Sequence, residues 1–89
     1  MSWHYLPVWI EYHRPGAEPE RSYSICEVYV DVEGRLENWT VSPEMRPGGT
    51  SLDELRGDLN MMLSDASRWK SVAFSALKTG MVFERVDER

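Results

Sequence analysis

Apolar and polar positions alternate along the first part of the chain and then switch to a helical period. Trp3 to Tyr12, WHYLPVWIEY, is rich in aromatic and β-branched residues and predicts a strand. Pro7 lacks the N–H that a central strand uses on both sides, which places this strand at a sheet edge. Alternation sets His4, Leu6, Val8, Ile10 and Tyr12 on one face and Trp3, Tyr5, Pro7, Trp9 and Glu11 on the other. His13 to Arg21 holds two prolines and a glycine among charges and predicts a loop. Ser22 to Val32 is a second strand, with Ser24, Cys26, Val28, Val30 and Val32 on one side and Tyr23, Ile25, Glu27, Tyr29 and Asp31 on the other. Glu33-Gly34 predicts a tight turn, and Arg35 to Val41 a returning partner strand.

The period changes after Pro47-Gly48-Gly49. Ser51 followed by Glu54 forms a capping box, and Asp53 and Glu54 suit the positive end of the helix that it opens. At about 100° per residue, Leu52, Leu55, Leu59, Met62, Leu63, Ala66 and Trp69 fall in a sector about 120° wide. That stripe is expected to cover the valine face of the sheet. Glu54, Asp58 and Asp65 lie along one edge of it, as a solvated flank or a docking edge for a basic partner. Gly57 interrupts the helix on its solvent side, where close backbone approach to a partner would give it a purpose. Ser71 to Thr79 suits a short second helix capped by Gly80, and Met81 to Val86 a fourth strand or an extended tail. The predicted fold is α+β: a small antiparallel sheet of three or four strands packed on one main amphipathic helix, in a single domain spanning residues 1–89.

Composition narrows the function. The net charge of −5 argues against nucleic-acid binding, which needs clustered Lys and Arg against phosphate. Eight carboxylates against four Arg in residues 1–50, and seven against six basic groups thereafter, put most of the field on the strands. A basic protein would be steered there. The one cysteine, Cys26, precludes an internal disulfide and fits a cytoplasmic setting. The start of the chain has neither a basic leader nor a long apolar run, so a soluble protein without a membrane span is expected.

Candidate chemistry is thin. His4, His13, Glu11 and Cys26 match no metal-ligand spacing, so neither a metal nor another cofactor is expected. Gly48-Gly49-Thr50-Ser51 before a helix has the general form of an anion site, but without the Lys of a nucleotide-binding loop it reads as a turn and cap. Glu27 and Asp31 could serve acid–base work only if a pocket gathered them. A small-ligand or enzymatic site between the Pro43–Thr50 loop and the sheet is the alternative to a binding protein. The stronger feature is the outward sheet face, where aromatics stand among carboxylates as they do in protein interfaces. Tyr5, Trp9, Glu27, Tyr29 and Asp31, with Glu54, Gly57 and Asp58 on the helix, are the expected partner-binding residues. The rival expectation is that Ser71–Leu77 folds over that face and buries it within the chain.

Two resemblances add to this. The pattern Tyr23-x-Ile25-x-Glu27-Val28-Tyr29-x-Asp31-x-x-Gly34, Trp39-Thr40, Gly49-Thr50, Glu54-Leu55, Asp58-Leu59 and Met62-Leu63 resembles a family of small uncharacterised bacterial proteins. More remotely, three strands followed by Thr50-x-x-Asp53-Glu54-Leu55 at a helix start resemble the N-terminal module of HicB-type antitoxins. That resemblance implies a truncated ribonuclease-H-like fold that neutralises a small basic ribonuclease. The chain departs from the antitoxin pattern after the helix, where Val72 to Val86 is unlike the usual DNA-binding segment. Together these features predict a non-enzymatic bacterial or phage interaction module that binds a basic protein or a second copy of itself.

Overall fold

The computed structural model describes residues 2–40 and 46–86. The elements are β1 (Ser2–Tyr12), β2 (Glu20–Val30), β3 (Leu36–Trp39), α1 (Leu52–Arg68) and β4 (Val72–Ala73), followed by a 3-10 turn over Phe74–Ala76. They form a four-stranded sheet in the order β3-β2-β1-β4 with one main helix, an α+β fold. β1 and β2 pair antiparallel along their whole length, from Ser2 opposite Val30 to Tyr12 opposite Glu20. β3 runs antiparallel to β2, while β4 lies parallel to β1 at Val8 and Trp9. β1 therefore has a neighbour on each side and is not the edge strand that Pro7 suggested. Strand alternation aims the Pro7 nitrogen, like that of Tyr5, away from β2, so the long ladder loses no bond to the proline.

The turn into β3 is built by Asp31. Its carboxylate accepts the N–H of Glu33 at 2.8 Å and of Arg35 at 2.9 Å, and Gly34 supplies the positive φ of 79°. The backbone donors of residues 33 and 35 hold the Asp31 carboxyl below the ordinary aspartate range.

The core lies on the valine face, as the alternation predicts, but the helix does not cover it. Leu6, Val8, Cys26, Val28, Val30 and Leu36 pack against Leu77 and Phe83, with Trp69, Val72, Phe74 and Met81 around them. The cover is thus the segment after the helix. In place of the second helix expected over Ser71–Thr79 it forms only a 3-10 turn, and of the two alternatives for Met81–Val86 it takes the extended tail and not a fourth strand. β4 adds to the β1 edge, the 3-10 turn drops Leu77 into the core, and the extended residues after Gly80 are tied in by single bridges, Arg35 to Val82 and Trp69 to Arg85. Gly80 donates to Leu36 O at 2.7 Å and Leu36 to Met81 O at 2.8 Å. Short apolar clusters such as Val72-Ala73-Phe74 suit either period, and pairing to β1 decides between them.

The helix packs instead on β1, where the edge beyond β4 is open. Its N-terminal half is little buried, and the molecule is correspondingly extended. The radius of gyration is 14.4 Å, where about 12 Å is expected for a compact chain of this length. The accessible surface of 6562 Å² exceeds by roughly 1,100 Å² that of a closed monomer of 10.4 kDa. No helix among the described residues is long and apolar enough to cross a membrane.

Candidate interaction surface

The helix start forms as its residues dictate. Ser51 Oγ accepts the N–H of Glu54 at 3.1 Å, which is one half of the capping box. Glu54 reaches one residue further back than the box requires, accepting both the N–H and the hydroxyl of Thr50 at 2.6 Å. Those bonds hold the Glu54 carboxyl below its ordinary range, the hydroxyl contributing most. Gly48 donates to Asp58 at 2.9 Å, and a Cβ at Gly49 would collide with Glu54. The chain's own carboxylates therefore occupy the donors of the glycine-rich turn, which counts against an anion site there. Pro43 to Met45 of the same loop lie outside the described residues.

The acidic edge of the helix is solvated only at Glu54, and its other two members turn inward. Asp65 is 6 % exposed and accepts the backbone N–H of Tyr5 at 2.9 Å, while Asp58 accepts the Tyr5 hydroxyl. Burial, then the bond to Asp58, pushes the Tyr5 phenol well above its ordinary value. Facing β1 with Asp58, Asp65 and Met62 turns the helix by roughly 70° from the centre of its apolar stripe. Only the Leu55, Met62 and Ala66 side of the stripe is sheltered. The other side stands in solvent: Leu52 is 59 % exposed, Leu59 47 % and Leu63 68 %. Spacing alone could not place this edge outward, because a stripe does not state which part of itself is used.

On the outward sheet face Tyr5 is buried with its hydroxyl on Asp58 of α1, so the helix covers that part of the face and Tyr5 is not itself accessible. Trp3, standing edge-on to Tyr5 at 5.4 Å between ring centres, and Tyr23 are exposed, while Trp9, Ile25, Glu27 and Tyr29 are half-buried. Arg21 lies 3.8 Å over the Trp9 ring, and the Tyr29 hydroxyl donates to Glu27. The Glu27 carboxylate holds the Tyr29 phenol above its ordinary value. Ser71–Leu77 runs at the β1 edge and into the opposite core, so it does not cover this face. Asp31 belongs to the turn and not to a pair with Glu27. Gly57 has open space around it and lies about 160° around the helix from Leu59, away from the leucine edge.

The predicted partner-binding residues therefore divide. Glu27 and Tyr29 stand together near one end of the outward face and Trp9, opposite Tyr23, lies further along it, whereas Asp31 and Glu54 are engaged in local turns and Asp58 in docking the helix on Tyr5. Two further groups were not foreseen: the exposed leucine edge, and an aromatic cluster at the far end of the core in which His4 stacks on Trp69 at 4.5 Å and meets Phe83 edge-on. Among the described residues no three His, Cys, Asp or Glu side chains gather as metal ligands. Cys26 is fully buried, with its thiol 3.1 Å from the Thr40 hydroxyl, and burial raises its pKa. No family model matches the chain, and neither the curated proteins nor the solved structures provide a match.

Proposed function

We propose that this chain is a non-enzymatic interaction protein that self-associates through Leu52, Leu59 and Leu63 and presents its acidic, aromatic sheet face to a basic protein. The observation that carries the proposal is the exposed leucine edge of α1 on a molecule with surplus surface. A standard interface takes about 800 Å² from each partner, so the three leucines would form its apolar centre and their neighbours on α1 its rim. Charge on the helix does not oppose pairing of two copies. Asp58 and Asp65 turn inward, leaving Asp53 and Glu54 balanced by Arg56 and Arg68.

The remaining acidity sits on the strands, with Glu27 beside Tyr29 and Glu11 on the same face as the Arg21-capped Trp9, and favours a basic partner. The likeness to HicB-type antitoxins would make that partner a small basic ribonuclease in a bacterial or phage system, with the pair residing in the cytoplasm. Light scattering tests the self-association, using Leu59→Glu with Leu63→Glu as the disrupting variant. For the second surface, a small basic protein encoded beside this chain should co-purify with it. Trp9→Ala with Tyr29→Ala should abolish that complex without changing far-UV circular dichroism, and an intact complex would contradict the assignment.

A further inference from the structure

At the end of the core away from the leucine edge, a cavity of about 300 Å³ opens between the start of β1 and the segment after Gly80. Its walls are His4, Val30, Trp69, Val82 and Phe83, and the exposed Arg85 closes one side. This is the low end of the range for small-molecule pockets, about 300 to 1,000 Å³.

Three features mark it as more than a packing gap. The walls are fixed in advance: Val86 donates to Arg68 O at 2.7 Å and Lys70 to Glu84 O at 2.9 Å on one side, while Leu36 donates to Met81 O at 2.8 Å on the other. Its described lining carries one cation, Arg85, in a molecule of net negative charge. Although the chain holds 15 carboxylates, no described acidic residue lines the cavity, and Arg85 has no carboxylate partner among the described residues. Its guanidinium lies 5.4 Å from the centre of the Trp69 ring, at the mouth of the cavity where it could meet an anion. Finally, the Trp69 Nε1–H is buried with no acceptor among the described residues. Buried donors are nearly always paired, and an acceptor held in the cavity would reach this one if the indole turned toward it.

We propose that this cavity binds a small aromatic carboxylate, its ring against Phe83 and the valines and its carboxylate at Arg85 beside the Trp69 indole. The site is independent of association through the helix. Isotope-labelled protein is titrated with naphthoate and with its uncharged counterpart, naphthamide, reading the Trp69 indole N–H and the backbone amides of Phe83 and Arg85. Naphthoate should shift these signals saturably and bind at least about tenfold more tightly than naphthamide. Arg85→Gln, a change at an exposed side chain, should bring naphthoate down to the affinity of the amide and leave the amide unaffected. Equal affinity for the two probes, an unaltered response in Arg85→Gln, or shifts at Leu59 and Leu63 in place of Trp69 would overturn the assignment.

Discussion

Asp65 on the helix accepts the backbone N–H of Tyr5 on β1 at 2.9 Å, 60 residues away in sequence, and is buried in doing so. Tyr5 lies where the β1 edge is no longer paired by β4, so its N–H needs an acceptor from elsewhere. The carboxylate supplies it and fixes both the position and the rotation of α1. The leucines cannot take that place, because an apolar side chain leaves the edge donor unsatisfied.

Asp65→Ala should therefore cost about 2 to 3 kcal/mol, the worth of a buried bond to a charged acceptor together with the exposed strand donor. Asp65→Asn keeps an acceptor oxygen and should lose only about 1 kcal/mol. Urea denaturation measures both. Equal losses for the two variants would contradict the docking role.

The placement of the core predicts a contrast between two apolar side chains. Phe83 is 7 % exposed under the sheet, and Phe83→Ala should cost about 3 to 5 kcal/mol. Leu63→Ala, at a concentration where the chain is monomeric, should change stability by less than about 0.5 kcal/mol. If the helix leucines were the cover of the core, the order would be reversed.

Much of this fold is legible in local pattern. Alternation in WHYLPVWIEY and YSICEVYV fixes two strands and the membership of their faces, and Ser51 with Glu54 fixes the helix start. Which layer covers which face is not local information. It depends on where strand edges run out of partners, and the deciding residue, Asp65, looks like an ordinary surface acid on a helix. The residues after Trp69 carry no firm period because pairing to β1 and bridges to residues 35 and 69, rather than propensity, define them. For the surface, Trp9, Glu27 and Tyr29 follow from alternation. The exposed leucines do not, since an amphipathic stripe implies burial against something without saying whether that is the same chain.

Alkaline pH should destabilise the protein. Burial raises the Cys26 thiol above its ordinary 9.0, and burial with the Asp58 bond raises the Tyr5 phenol above 10.0. A raised folded value means that the unfolded chain ionises first, so the stability these groups contribute is complete below pH 9 and declines as pH rises. The urea midpoint should be level from pH 7 to about 8.5 and fall beyond it, and Tyr5→Phe should soften the fall above pH 10. A midpoint unchanged at pH 11 would contradict the burial of both groups. In the same experiment the Cys26 thiol should resist a disulfide-exchange reagent until urea unfolds the chain.

The central claim is that the leucine edge of α1 is an interface, and the solution mass tests it most directly. Multi-angle light scattering across a range of concentrations should show a mass rising toward twice the 10.4 kDa of one chain. In Leu59→Glu with Leu63→Glu the mass should stay at that of a single chain, with unchanged circular dichroism. A wild-type protein that stays monomeric at about millimolar concentration, or a double variant that associates as the wild type does, would contradict the claim.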